Sequence, residues 1–436
     1  MPVPLTSARA AAISAGTGLV IVAAALLVPL WAYKNIDVKF APLHASWDPK
    51  FGALAIPAIV IGIAFALVLP RMAERLSGGR LLVVAFAGTW VWTMALAMTV
   101  GKQGLASVFE RKREYVFDAQ NVSSIRPMLR TFIDHIPMDS PDNWQTHVAG
   151  HPPGALLFFV LLDRLGITDP FWIGVVVVTI GSTAIVAVLV TLRALGSLQL
   201  ARSAMPWIVL APSAVWMGVN GDAVFTAVSA WGLALLAIAA TTAPARRRVA
   251  AAVGAGLLLG LCVYLSYGLV LLGILALAVL LIAKNWRPLP WALAGAAIVA
   301  AIFTAFGFAW WEAYPVLRER YYDGVASERH YWYWMWANIG AWTFTVGLAV
   351  WAAFPRAIHA ARENNPLAKL AVAALLTITV ATLSGMSKAE TERIFLPFTI
   401  WVVALPLLLP RSWHRPLLLF QVALALCAQQ LLLTRW

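Results

Sequence analysis

Charged residues are scarce in this sequence: only 12% of its 436 residues are Asp, Glu, Lys or Arg, whereas 61% are hydrophobic. A soluble domain cannot bury that much apolar surface, so the soluble globular classes are excluded. Apolar runs that are long enough to cross about 30 Å of hydrocarbon as helices recur along the whole chain. The sequence therefore predicts an all-α integral membrane protein with many spans.

Cysteine is almost absent, because the chain has only two, Cys262 and Cys427, and both lie within apolar runs. Two such residues cannot build a disulfide framework or a cysteine zinc site. We interpret both as small residues of the membrane-spanning core.

Acidic residues are also few, and the excess of Lys and Arg gives a net charge of +13. The basic residues are scattered over loops between apolar runs and form no continuous basic domain, so nucleic acid is not an expected partner. Anionic membrane lipids or a phosphate-bearing substrate fit this distribution better.

Thirteen apolar runs are predicted to span the membrane, the first as a retained helix and not as a cleaved signal peptide. Their approximate positions are 11–32, 53–70, 81–100, 171–192, 203–219, 222–240, 249–266, 268–283, 289–309, 335–353, 369–385, 394–410 and 416–433. The chain then divides into three N-terminal spans (1–100), a polar loop (101–170), six spans (171–310), an aromatic and basic loop (311–334) and four final spans (335–436).

The distribution of short basic turns predicts which side each loop occupies. Turns such as 246–248, which is Arg-Arg-Arg, fall on one side, and the turns opposite them carry no basic residue. The positive-inside tendency places the basic turns and the N-terminus in the cytoplasm. The outer segments are then 33–52, 101–170, 310–334 and 386–393.

A His-Pro-Pro-Gly sequence at 151–154 ends the long polar loop. Pro153 forces Pro152 into extended geometry, and Pro153 itself suits a first helical position, which needs no amide partner. Gly154 permits the close approach of a neighbouring helix or of lipid. We expect a short half-inserted or interfacial helix that fixes His151 at the boundary between water and membrane.

The polar loop before this sequence contains the strongest candidates for acid–base chemistry. Apolar residues recur at helical spacing over 107–135, which predicts short amphipathic helices on the outer membrane surface. Glu114 and Asp118 are four residues apart and therefore share one helical face. A solvated face with ion pairs to 111–113 and a catalytic face are both consistent with this spacing.

Three other polar clusters lie on the same predicted side. Arg329 and His330 stand among aromatic residues at 318–338, a pattern that an interfacial aromatic belt also explains. The segment 384–398 contains Lys388, Glu390, Glu392 and Arg393 at the end of a span, where ionisable groups are costly and often functional. Asp222 follows a tight turn, and helix capping explains it as readily as function does.

These segments together resemble the GT-C superfamily of polytopic glycosyltransferases, close in plan to protein O-mannosyltransferases and bacterial aminoarabinose transferases. The stretch REYVFDA at 113–119 resembles the acidic motif of their first loop, HPPG resembles their His-Pro-Pro helix start, and ERIFLPF at 392–398 resembles a motif near their C-terminus. Alignment of the alanines places Glu114 on the position of the family's Asp, which leaves the base open between Glu114 and Asp118. The HPPG form is similar to actinobacterial membrane proteins of this type.

The resemblance implies sugar transfer from a polyprenyl-phosphate donor to a glycan, lipid or protein hydroxyl outside the cell, with arabinofuranose or mannose as the favoured sugar. It implies no certain cofactor, although two carboxylates can bind a divalent cation such as Mg²⁺ or Mn²⁺. The candidate residues are Glu114 and Asp118 as base; Arg393, Lys388, Arg329, His330 and Arg126 for the donor phosphate; and His151, His147, Tyr115, Asp222 and Glu392 for positioning the substrate.

The sequence leaves three alternatives to this interpretation open. The acidic loop of many relatives follows the first span, so 33–52 with Asp37 and Asp48 is a second candidate for it. A transporter or flippase of lipid-linked substrates would need ionisable residues at mid-membrane depth and broken helices. A non-catalytic scaffold would tolerate the loss of the loop carboxylates.

Overall fold

The computed structural model describes residues 5–33 and 36–434, and 76% of the chain is helical. The α-helices are α1 (Leu5–Leu27), α2 (Ile56–Arg75), α3 (Gly78–Ala97), α4 (Gln103–Ala106), α5 (Tyr115–Gln120), α6 (Ile125–Thr131), α7 (Thr146–Ala149), α8 (Pro153–Arg164), α9 (Pro170–Leu195), α10 (Leu198–Val209), α11 (Ala214–Met217), α12 (Gly221–Thr241), α13 (Ala245–Leu265), α14 (Leu272–Ala283), α15 (Leu289–Ala305), α16 (Trp310–Asp323), α17 (Val325–Glu328), α18 (Tyr331–Val346), α19 (Leu348–Arg362), α20 (Pro366–Leu383), α21 (Thr391–Ile394), α22 (Leu396–Thr399) and α23 (Arg411–Leu431).

Short 3₁₀ helices and one small sheet complete the described elements. The 3₁₀ helices are Val28–Leu30, Ala53–Ala55, Met98–Val100, Ile133–His135, Tyr267–Leu271 and Leu405–Leu408. Strands β1 (Ala45–Trp47) and β2 (Leu432–Thr434) pair antiparallel, with Ser46 opposite Leu433. This pairing holds the N-terminal loop against the end of α23.

Seven helices of the described chain are long and apolar enough to cross a membrane: α1, α2, α3, α9, α12, α13 and α20. Two further pairs meet the same test only when taken together, because α15 and α16 are bent by 74° and α18 and α19 by 101°. The helices are those of a multi-pass, all-α membrane protein. The expected count of thirteen spans is not confirmed, since seven to nine candidates are found in the part of the chain that the structure describes.

Proline residues explain two of the differences between expected spans and observed helices. The run 394–410 is largely buried but is divided among α21, α22 and a 3₁₀ helix, with Pro397 and Pro406 each in the first turn of a new element. The run 203–219 is divided between α10 and α11, and Pro212 lies in the break. Proline has no amide hydrogen to donate, so an apolar run that contains it need not form one continuous helix.

Helix α12 lies at the centre of the bundle, where most of its residues are buried, and it packs on α9 and α13. Helix α13 packs in turn on α15 through small residues. A Cβ atom at Gly256 would lie 1.9 Å from the Ala292 carbonyl oxygen, so only glycine allows this separation. The tight packing of α12 against α13 fixes the positions of the helix ends at which the candidate site lies.

The His-Pro-Pro-Gly sequence has the predicted form. Pro152 is extended (φ −63°, ψ 159°), and α8 begins at Pro153 and continues for 12 residues. A Cβ atom at Gly154 would lie 2.4 Å from the Tyr264 carbonyl oxygen, which confirms that this glycine permits close contact with a helix, α13. The predicted surface position of α5, α6 and α8 in a membrane stays a prediction.

Candidate functional site

A cavity of about 1400 Å³ gathers the polar residues of distant segments. Its wall comes from the N-terminal loop, the segment around α7, the first turn of α12, the 3₁₀ helix Tyr267–Leu271, helix α16 and the loops on either side of α18 and α20. The titratable lining residues other than tyrosine are Asp37, Lys39, His44, Arg111, Arg113, His147, His151, Asp222, Glu328, Arg329, Lys388, Glu390 and Arg393. Six Lys or Arg residues therefore face four carboxylates, an excess that favours an anionic ligand.

Arg393 is the buried centre of the ion pairs in this cavity. Its Nη1 donates to Asp222 Oδ2 at 2.6 Å, and its Nη2 donates to Glu390 Oε2 at 2.7 Å. Burial opposes its charge, but the two carboxylates hold the pKa of the guanidinium above its usual value. Asp222 lies in the first turn of α12, and its carboxylate forms this ion pair with Arg393.

Arg329 extends the ion pairs to the N-terminal loop. Its Nη2 lies 3.2 Å from Asp37 Oδ2 and 3.3 Å from Glu390 Oε1, and its Nη1 donates to the Lys388 carbonyl oxygen at 2.7 Å. His44, from the same loop as Asp37, places Nδ1 3.1 Å from Glu390 Oε1. Loop 33–52, the alternative acidic loop, thus contributes to the cavity together with the loop that follows the third predicted span.

Glu390 is the carboxylate that these groups share. Burial alone would raise its pKa, but the His44 hydrogen bond and the guanidinium groups of Arg393 and Arg329 hold the pKa of this carboxyl well below its usual range. Glu390 therefore stays ionised in its half-buried position. Ala389 and Glu390 both have left-handed backbones, with φ of 69° and 62°.

Glu114 and Asp118 both face the segment that contains α7. Glu114 Oε2 lies 3.0 Å from His147 Nδ1, and Asp118 Oδ2 accepts the Gln145 amide hydrogen at 3.0 Å. Their exposed fractions are only 2% and 8%. The interpretation of this pair as a solvated ion-paired face is therefore wrong. Burial raises the pKa of Asp118 to about 6, although the Gln145 amide and Arg320 oppose that rise.

His151 and Tyr115 belong to one group of contacting rings beside the polar residues of the cavity. The Tyr115 ring stacks on Phe159 at 4.9 Å and meets the rings of His147 and His151 edge-on at 6.1 and 5.7 Å. His151 Nδ1 lies 2.8 Å from the His147 carbonyl oxygen, and burial lowers the pKa of His151 to about 4. A neutral imidazole that donates from Nδ1 leaves Nε2 as an acceptor.

Lys388 lines the cavity two residues before Glu390. Its Nζ donates to the Ala326 carbonyl oxygen at 2.9 Å and lies 4.8 Å from the centre of the Tyr322 ring. Burial, with a smaller contribution from Arg329, lowers the pKa of this lysine. Among the described residues, this ammonium group contacts a carbonyl oxygen and an aromatic ring and forms no ion pair with a carboxylate.

The predicted site residues fall into three groups. Six line the cavity: His147, His151, Asp222, Arg329, Lys388 and Arg393. Four are buried outside the lining: Glu114, Tyr115, Asp118 and Glu392, the last of which accepts the His44 amide hydrogen at 3.2 Å. Arg126 and His330 are exposed and do not line the cavity, so the structure does not place them with the other candidates for phosphate binding.

Several lining residues were absent from the sequence-based list of site residues. Glu390 carried a usable signal, because it stands three positions before Arg393 and can therefore pair with it on one helical turn. Asp37 and His44 carried a weaker sequence signal, since Asp37 lies 292 positions from Arg329, its ion-pair partner. Arg111 and Arg113 had been interpreted only as local ion-pair partners.

A divalent cation has no ready-made group of ligands in the described residues, where no cluster of three or more His, Cys, Asp or Glu side chains could hold a metal ion. The carboxylates of the cavity wall that pair with arginine are Asp37, Asp222 and Glu390. Their donor atoms are thus arranged for guanidinium groups.

Comparisons of the chain with protein-family models, with curated proteins and with solved structures found no match.

Proposed function

We propose that this chain is a membrane glycosyltransferase of the GT-C type, which transfers a sugar from a polyprenyl phosphate to an acceptor hydroxyl on the extracytoplasmic side. The observation that carries the proposal is the single cavity in which a carboxylate-supported histidine, His147, faces buried cations. Such a reaction needs a base for the hydroxyl and positive charge for the departing phosphate.

His147 is the group we assign as the base, with Glu114 as the residue that positions it. When Nδ1 of His147 donates to Glu114, the carboxylate fixes the tautomer and stabilises the imidazolium that forms on protonation. The acceptor oxygen then bonds to the anomeric carbon, the bond from that carbon to the phosphate oxygen breaks, and the hydroxyl proton passes to His147. Of the two carboxylates considered, Glu114 contacts the cavity wall through His147, whereas Asp118 holds the backbone at Gln145.

The remaining wall suits the two parts of the donor. Arg393, Arg329 and Lys388 would bind the phosphate, which leaves as polyprenyl phosphate. Apolar lining residues suit the isoprenoid chain: Val270, Leu271, Leu317, Val380, Ala381 and Ile394. The acceptor is a glycan, lipid or protein of the cell envelope, and arabinofuranose or mannose is the sugar we favour.

The bent helix pairs are the observation that favours the alternative, a transporter or flippase of lipid-linked substrates. Their breaks, however, contain no ionisable residue: the first is Phe-Gly-Phe-Ala at 306–309 and the second is Gly347. A coupled transporter places charged or polar binding groups at such breaks. The ion-paired residues Asp222, Arg329, Glu390 and Arg393 line one cavity instead, which supports the enzyme.

The test is sugar transfer by purified protein from a panel of radiolabelled polyprenyl-phosphate sugars to acceptors in a membrane extract. We expect product from one donor with the wild type, and a loss of about 100-fold or more in both Glu114→Gln and His147→Gln, the usual scale for losing acid–base catalysis.

Glu110→Gln is the matched control, because Glu110 is exposed and only four residues from Glu114. Product formation that both site variants leave unchanged would refute the assigned base. If no donor gives product while the protein moves a fluorescent lipid phosphate across vesicles, the flippase is the correct function.

A further inference from the structure

Glu390 occupies a position that is built to hold an anion. One carboxylate oxygen lies 3.1 Å from His44 Nδ1 and 3.3 Å from Arg329 Nη2, and the other lies 2.7 Å from Arg393 Nη2. Two guanidinium groups and an imidazole that converge on one small anion are also a phosphate-binding arrangement, because guanidinium geometry matches carboxylate and phosphate alike.

The backbone around Glu390 is held in an unusual conformation. Ala389 and Glu390 are both left-handed, which residues other than glycine seldom adopt. Asn338 holds the loop there: its Nδ2 donates to the Ser387 carbonyl oxygen at 2.6 Å, and its Oδ1 accepts from the Ala389 amide at 3.2 Å. Strained backbone persists where neighbouring contacts impose it, often at ligand sites. The two hydrogen bonds of Asn338 fix the main chain here and leave the Glu390 side chain as the part that can move.

Carboxylates already occupy the arginines of this cavity, which limits how a phosphate can bind. Arg329 pairs with Asp37 and Glu390, and Arg393 pairs with Asp222 and Glu390. A phosphate added beside these ion pairs would meet three carboxylates. With the Glu390 carboxylate rotated away, one of the three is removed and both guanidinium groups regain a donor.

Arg329 has capacity for a further ligand. Its Nε is buried and has no hydrogen-bond partner among the described residues, while both of its Nη atoms are engaged. An unsatisfied charged donor in a cavity wall is costly unless a ligand completes it. A phosphate, with more acceptor oxygens than a carboxylate, can accept this bond as well.

We propose that the Glu390 carboxylate is a displaceable internal anion, which fills the site between His44, Arg329 and Arg393 until a phosphate group replaces it. The donor's role as the phosphate source rests on the proposed function, whereas the anion site itself does not. His44 becomes a phosphate ligand in this arrangement, and the site is closed to weakly bound anions because they must compete with an attached carboxylate.

The rival explanation is that Glu390 aligns the two arginines and remains in place when ligand binds. The two explanations predict opposite effects of removing its charge. If Glu390 competes with phosphate, Glu390→Gln tightens phosphate binding; if it aligns the arginines, the same variant weakens binding.

The experiment measures the Kd of the full-length, detergent-solubilised protein for inorganic phosphate and for farnesyl monophosphate by titration calorimetry. We expect a Kd about tenfold lower in Glu390→Gln, the scale of one charge-assisted contact. Glu390→Asp, whose shorter side chain cannot reach both guanidinium groups, should also lower it, and this variant decides the question if the first does not fold. Tightening with both probes identifies phosphate itself as the ligand, and tightening with farnesyl monophosphate alone identifies a lipid-borne phosphate.

Glu328→Gln is the matched control, because Glu328 lines the same cavity and its loss changes the cavity charge by the same amount. It should change Kd less than Glu390→Gln does. Unchanged or weaker binding of both probes in the folded Glu390 variants would overturn the proposal, even if the protein transfers sugar. Tightened binding in a protein that transfers none would leave it standing and remove the enzymatic proposal.

Discussion

Asp118 and Glu114 show how packing partners distinguish two buried carboxylates that their spacing in the sequence does not. Both face the segment around α7, but Glu114 meets a histidine of the cavity wall and Asp118 meets a backbone amide. The sequence predicted that the two would share one helical face, whereas α5 begins at Tyr115 and Glu114 precedes it with an extended backbone. Which of them meets His147 depends on where α7 packs, which the spacing of residues 114 and 118 cannot show.

The raised pKa of Asp118, about 6, predicts a pH-dependent stability. Between the unfolded value of 3.8 and about 6, the folded chain binds a proton that the unfolded chain has lost. Stability from this group is therefore greatest below that window, falls as the pH rises through it and is level above it. Asp118→Asn removes the effect, so its apparent Tm relative to wild type should rise between pH 4 and 6 and then stay constant.

Thermal unfolding in detergent from pH 4 to 8 measures this difference. The exposed Asp142→Asn, from the same segment, controls for the loss of one carboxylate. A Tm difference for Asp118→Asn that does not vary with pH would contradict the assignment.

At the scale of elements, the start of α8 is the part of the fold that local sequence determined best. Two prolines restrict the backbone whatever their surroundings, so Pro153 predicted the first helical residue correctly. The run 394–410 was predicted less well, because its apolar composition satisfies a buried, broken segment as fully as a continuous span. The hydropathy of a segment indicates whether it is buried, but the packing of its side chains determines the path of its backbone.

Gly154 gives a test of how α8 meets α13. Gly154→Ala would place a Cβ atom 2.4 Å from the Tyr264 carbonyl oxygen, so the two helices must separate. We expect a loss of about 1–3 kcal/mol in the free energy of unfolding, as for other overpacked contacts. Sugar transfer should also fall, because His151 lies three residues before this contact. Apparent Tm and transfer rate are the measurements.

The control is Gly79→Ala at the exposed start of α3, where an added Cβ atom meets nothing within 4 Å. Equal Tm values for the two alanine variants would show that the contact of α8 with α13 can relax without cost.

At the scale of the whole molecule, the separate segments of the site could be predicted from the sequence, but the contacts that join them could not. The segments around Glu114, His151, Asp222, Lys388 and Arg393 were each recognised from polar residues beside apolar runs. The joining of the N-terminal loop to them was not, because Asp37 reaches Arg329 across 292 positions and β1 pairs with β2 at the far end of the chain. Contacts between residues so far apart in the chain leave no local pattern in the sequence.

Three helices relate the cavity to the membrane. Helix α12 begins beside Asp222, α13 ends just before Ser266, and α20 ends just before Ser384, and all three residues line the cavity. Each of these helices is a candidate span. At about 1.5 Å per residue, the 21 residues of α13 extend about 31 Å, so we expect its basic start at 246–248 to lie on the opposite side of the membrane from the cavity. From the positive-inside tendency we then expect the cavity on the outer side.

Cysteine labelling of intact cells tests this orientation. In a chain with Cys262 and Cys427 replaced by alanine, Asp142→Cys should react with a membrane-impermeant maleimide, whereas Arg247→Cys should react only after permeabilisation. Both positions are exposed, so the difference reports the side of the membrane and not burial. The reverse pattern would place the cavity in the cytoplasm and exclude an extracytoplasmic acceptor. Reaction at both positions in sealed cells would show that α13 does not cross the membrane and that its basic start lies on the same side as the cavity.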